Sequence, residues 1–208
     1  MNAATQSLIL QGPEGVIEAL RDVPASGPVL GTAVIAHPHP LFGGTMQNKV
    51  VQTLARAFVQ CGWQAVRFNF RGVGASAGAY DEGRGETADM LSVIEQVAPS
   101  GPLALAGFSF GAFVTSHATR TLMPVRSVDK LVLVGTAASR FAVAPVAPEL
   151  HEQTLVLHGE QDDTVPLASV MDWARPQSLP VTVIPGVEHF FHGQLPLLKT
   201  LVARHLRA

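Results

Sequence analysis

The sequence predicts an α/β fold, a three-layer α/β/α sandwich around a mostly parallel, eight-stranded sheet. Three observations carry this. Short apolar runs rich in β-branched residues alternate along the chain with segments of helical spacing, which calls for crossover connections and helices on both sheet faces. The first two runs are separated only by Gly12-Pro13-Glu14-Gly15, too short for a crossover, so they form an antiparallel N-terminal hairpin at one edge. Hydrophobic residues make up 47% of the 208 and charged ones 14%, which suits a core-rich globule and not a disordered chain.

In chain order, strands are predicted at residues 7–10, 16–20, 31–36, 65–70, 103–108, 130–134, 154–158 and 181–184. The helical stripes are clearest at Val50, Leu54, Ala57 and Phe58, and then at Met90, Leu91, Ile94 and Val97. Further helices begin after Ser109, after Pro166, with that proline at the first helical position, and after Pro196. Residues 136–153, rich in alanine and proline, join two strands by an irregular excursion too short for a cap domain. No repeat, linker or low-complexity tract interrupts the pattern, so residues 1–208 are read as a single domain.

Bulk properties exclude several classes. A formal charge of −2 with dispersed signs leaves no basic face for nucleic acid. The single cysteine, Cys61, forbids an internal disulfide and is read as a small buried apolar residue near a helix end. Residues 1–11 lack a basic cluster followed by an apolar run, and no stretch reaches a membrane span, so a cytoplasmic protein without a membrane partner is expected.

The motif with the most chemical content is Gly107-Phe108-Ser109-Phe110-Gly111, at a strand end with a helix-like segment beyond. This describes a nucleophile elbow, in which Ser109 takes a strained backbone conformation and side chains at either glycine would collide with neighbouring backbone. An open α/β sheet carries its chemistry at the carboxyl ends of its strands. Two later strand-end loops supply the partners a weakly nucleophilic serine needs, a carboxylate and then an imidazole. The first loop offers Asp162 and Asp163, and the second offers His189 and His192. His189 comes first after its strand, where the loop is shortest. Negative charge on an attacked carbonyl oxygen calls for two backbone N–H groups: that of Phe110, and one from the loop after residue 36. Pro38 and Pro40 have none to give, leaving His39 or Leu41. A metal site on His37, His39, His189 and His192 lacks an acidic or cysteine ligand, so neither metal nor cofactor is expected.

The chain resembles the α/β-hydrolase superfamily over nearly its whole length. It is similar to small, lid-poor bacterial hydrolases near dienelactone hydrolase and the acyl-protein thioesterases. The resemblance rests on His37-Pro38-His39-Pro40-Leu41-Phe42-Gly43-Gly44, on Arg71-Gly72-Val73-Gly74-Ala75-Ser76, and on the elbow. It rests also on His158-Gly159 with Asp162 and Val165-Pro166, and on His189-Phe190-Phe191-His192-Gly193. It implies Asp162 as the acid, three residues before the valine, His189 as the base, and His39 as the second oxyanion donor. Serine stands where dienelactone hydrolase carries cysteine.

The expected function is therefore a Ser-His-Asp serine hydrolase that cleaves carboxylic esters through an acyl-enzyme. Thioester cleavage or peroxide-using acyl transfer would run on the same triad, and a non-catalytic scaffold of the same fold is the reading from another class. Phe42, Phe108, Phe190 and Phe191 flank these loops and are candidates for an apolar substrate wall, at least two of them as core. No cluster of cations stands near them in sequence, which predicts a small uncharged ester or thioester as partner, in an open, shallow site, for a monomer or homodimer.

Overall fold

The computed structural model describes residues 5–208, so residues 1–4 of the stretch read for a leader lie outside it. The strands are β1 Gln6–Gly12, β2 Gly15–Asp22, β3 Thr32–Ala36, β4 Gln64–Phe68, β5 Leu103–Phe108, β6 Lys130–Val134, β7 Thr154–Gly159 and β8 Val181–Ile184. They form one eight-stranded sheet in the order β1-β2-β4-β3-β5-β6-β7-β8. The β1/β2 hairpin and the β2/β4 pair are antiparallel, and every pairing from β4 to β8 is parallel.

The helices are α1 Lys49–Gln60, α2 Arg84–Val97, α3 Phe110–Leu122, α4 Leu167–Ala174 and α5 Leu195–Arg207. The period of two along a strand divides the core into two halves. Val34, Leu103, Leu105, Leu131 and Leu133 point to one face, where α2, α3 and α4 bury Met90, Val114 and Val170. Ala33, Ile35, Ala104, Ala106, Val132 and Val134 point to the other, covered by Val51, Leu54 and Phe58 of α1 and Leu198 and Val202 of α5. Because both faces are covered, the central parallel strands are mostly apolar and show no strict alternation with polar residues.

Three details depart from the sequence expectations. The strand read to residue 70 ends at Phe68, because Asn69 N–H turns to Glu18 O (2.8 Å) and Phe70 N–H to His37 Nε2 (3.0 Å). Pro166 does not open a helix: with φ −55° and ψ 134° it caps α4, which starts at Leu167. Cys61 is half-buried, its Sγ 3.6 Å from Ala203 O where α1 meets α5.

The chain passes from β3 through α1 on one face to β4, then through α2 on the opposite face to β5 on the other side of β3. This reversal opens a crevice at the carboxyl ends of β3 and β5, where the loop 37–48 and the β5–α3 turn meet. The excursion 136–153 contains one short 3₁₀ turn, Pro148–Leu150, and among the described residues no lid covers the crevice. Among the described residues, no helix is long and apolar enough to cross a membrane.

Candidate active site

Ser109 occupies the turn between β5 and α3 at φ 57° and ψ −117°, a left-handed conformation rarely taken by a residue with a side chain. Two neighbours allow it. A Cβ on Gly107 would run into the carbonyl of Gly111, and one on Gly111 into the carbonyls of Ala36 and His37. Ser109 N–H donates to Val134 O at 2.8 Å, which pins the turn to β6.

His189 and Asp162 converge on this serine from the loops after β8 and β7. Asp162 Oδ2 accepts from His189 Nδ1–H at 2.6 Å, so the other ring nitrogen is left as an acceptor. Ser109 Oγ lies 3.0 Å from that Nε2, in position to donate its hydroxyl proton. All three are buried, and of them Ser109 and His189 line the cavity that opens at this site. Asp162 is held by its second oxygen, which accepts the N–H of Thr164 (3.0 Å) and of Val165 (2.7 Å). His158 supports the same loop: Nε2–H donates to Val165 O at 2.9 Å and lies 3.5 Å from Asp162 Oδ2. Burial lowers the His158 pKa, so its imidazole stays neutral.

The residues left as alternatives are placed elsewhere. Asp163 points outward, with Thr164 Oγ1–H at 3.4 Å. His192 is exposed and pairs with Glu188 Oε1 at 3.0 Å. His37 is buried, with Nε2 accepting from Phe70 N–H and Nδ1–H donating to Pro38 O at 2.6 Å, and desolvation lowers its pKa to about 4. Among the described residues, no group of three or more metal-ligating side chains is assembled.

The second donor position is equally informative. Leu41 N–H donates to His39 Nδ1 at 3.2 Å, whereas the backbone N–H groups of His39 and Phe110 have no hydrogen-bond partner among the described residues. The His39 ring packs among Phe42, Tyr80 and Phe110 at centroid distances of 4.7, 4.9 and 4.9 Å. Desolvation lowers its pKa, and the nearby Arg140 lowers it further.

Ser109 and His189 open into a cavity of about 330 Å³ whose wall includes His39, Phe42, Asn48, Arg140, Thr164 and Phe190. Of the four candidate wall phenylalanines, Phe42 and Phe190 reach it, 74% and 41% exposed. Phe108 and Phe191 do not. Both are fully buried with the α1/α5 half of the core, Phe108 with its ring 4.9 Å from that of His189.

A family model described as serine aminopeptidase, S33, matches residues 34–152, more than half of the chain. The chain belongs to this family of α/β serine hydrolases.

The hydrolase is also similar to whole solved structures. A lidless α/β serine hydrolase from Xanthomonas campestris is 35% identical, with a TM-score of 0.88 over 100% of this chain and 95% of that one. An α/β serine hydrolase homologue from Coxiella burnetii is 38% identical, with a TM-score of 0.81 over 97% of each chain. An uncharacterized protein of Rickettsia prowazekii is 31% identical over 88% of this chain and 81% of its own.

Two residues of the hydrolase's site are absent from the sequence reading. Gly135, directly after β6, faces His189: a Cβ there would lie 3.1 Å from its Cε1. Arg140 brings a guanidinium to a wall where no cation was expected. Its signal was its isolation, as the only lysine or arginine between Lys130 and Arg175.

Proposed function

We propose that the hydrolase is of the carboxylesterase type, with Ser109 as nucleophile, His189 as general base and acid, and Asp162 as the carboxylate that fixes the imidazole. The single observation that carries this is the unbroken chain from Asp162 Oδ2 through His189 to Ser109 Oγ, at 2.6 and 3.0 Å. Ser109 Oγ attacks the carbonyl carbon of a small ester while its proton passes to His189 Nε2. The alcohol leaves with that proton. Water then attacks the acyl-enzyme, again giving its proton to His189, and the acid departs as Ser109 recovers its hydrogen.

The N–H groups of Phe110 and His39 would hold the oxyanion. What supports His39 over Leu41 is that the Leu41 N–H is already committed to the His39 ring. Phe42 and Phe190 supply the apolar wall for a small acyl or alcohol group. The family's name also raises cleavage of an N-terminal amide. An aminopeptidase must balance the charge of an α-ammonium group, and among the described residues the charged side chain on this cavity wall is an arginine, with no carboxylate. That favours esters.

The test is turnover of a p-nitrophenyl ester series of increasing acyl length. Ser109→Ala and His189→Ala should each lower kcat by roughly 10⁴ to 10⁶, and Asp162→Asn by about 10³ to 10⁴. Asp163→Asn should remain near wild type. Labelling of Ser109 by a fluorophosphonate should be lost in Ser109→Ala. A wild-type protein that neither turns over these esters nor reacts with the probe would be a scaffold and would overturn the proposal. A marked preference for matched thioesters would move the substrate class and leave the mechanism in place.

A further inference from the structure

Arg140 is the arginine of this chain that lines the cavity at Ser109. Arg21, Arg56, Arg67, Arg71, Arg84, Arg120, Arg126 and Arg175 each give their side chain to a hydrogen-bond partner. Arg140, like Arg204 and Arg207 near the C-terminus, has none among the described residues, and no carboxylate comes within ion-pair distance of it; of these three it alone lines the cavity at Ser109. It is exposed, yet it lies on the wall of the cavity that holds Ser109 and His189. A guanidinium presents a planar fork of N–H donors suited to a carboxylate or phosphate. Within this cavity the fork has no protein acceptor to satisfy it.

We propose that Arg140 forms an anion subsite, and that the substrate is an ester or thioester carrying a carboxylate or phosphate group that this guanidinium binds. The inference rests on Ser109 being the nucleophile, and it revises the uncharged substrate expected from sequence. The low charge density of the rest of the wall strengthens it. Phe42 and Phe190 bring no charge to the wall, and the depressed basicity of His39 keeps that ring from adding a second positive charge. Arg140 thus fixes which end of the substrate lies on its side of the cavity, and acts on specificity and not on bond-making.

Two ester pairs test this and locate the anion. In the first, the charge is on the acyl side: 4-nitrophenyl hemisuccinate against 4-nitrophenyl pentanoate. In the second, it is on the leaving group: 4-carboxyphenyl acetate against its methyl ester. The quantity read is the ratio of kcat/KM, anionic over neutral, in wild type and in Arg140→Gln, so that the intrinsic reactivity of each ester cancels. In at least one pair the ratio should fall roughly 5- to 50-fold in the variant, chiefly through KM, and Arg140→Lys should retain part of it. Raising the salt concentration should shrink the wild-type ratio.

An unchanged ratio in both pairs overturns the subsite. Binding of monomethyl succinate against dimethyl succinate to Ser109→Ala protein reads the same subsite without turnover. If that preference depends on Arg140 while the wild type cleaves no ester, the subsite stands and the esterase reading falls. If the preference is absent, or survives Arg140→Gln, the subsite falls whatever the esterase activity.

Discussion

Gly135 shows how finely a single position controls His189. Its φ is 54°, and a Cβ would lie 3.1 Å from both His189 Cε1 and Phe108 Cε2. Phe108 is locked in the core, so His189 is the group that yields. Gly135→Ala should therefore lower kcat by about 10², the usual effect of an ångström displacement when, as proposed, His189 is the base. The melting temperature should fall by only a few degrees, and the two measurements together separate a displaced imidazole from an unfolded protein. Ser109, Asp162 and His189 are legible in sequence because each follows an apolar strand, where topology alone brings loops together. Between Asp162 and Asp163 the family resemblance already points to Asp162, and the physical reason is local: the turn at Thr164 and Val165 closes on one carboxylate and turns the other outward. Gly135 and Arg140 are illegible for the opposite reason: their neighbours come from strands and loops distant in sequence, and neither belongs to a motif.

At the scale of elements, α1 carries the loop 37–48 against the crevice and illustrates two opposed terminal effects. Asn48 Oδ1 accepts Val50 N–H at 2.8 Å, capping the helix, while Lys49 places a positive charge in the first turn, against the helix dipole. Asn48→Ala should lower stability by about 1 kcal/mol in urea unfolding, and Lys49→Glu should raise it by roughly 0.3–1 kcal/mol, more at low salt. The element order was open to reading from periodicity, because buried parallel strands are apolar runs and the helices between them carry clear stripes. What periodicity missed lies at element ends. Phe70 has the composition of a strand residue, but its N–H is taken by a histidine from a neighbouring loop. Pro166 has the right residue type for a first helical position, but the turn before it leaves its backbone extended.

For the whole molecule, buried histidines tie stability to pH. His37 titrates near 4 in the native state against 6.5 unfolded, because burial disfavours its charged form. His39, His158 and His205 are shifted in the same direction, each with desolvation as the largest cause. A depressed native pKa means that the unfolded chain binds more protons below 6.5. The full stability is thus present above pH 6.5 and is lost as pH falls towards 4. The His37 contribution over that window is on the order of 3 kcal/mol. Urea midpoints measured from pH 7.5 to 4.5 should decline below 6.5, and a flat profile would contradict the assignment. The bare crevice has a kinetic corollary. With no helices among the described residues to part before substrate arrives or to close behind it, the proposed turnover should need no gating step and should offer a competing nucleophile no sheltered access. Water, always in excess at an uncovered serine, then decides the fate of any acylated form, so cleavage should outrun transfer to other acceptors.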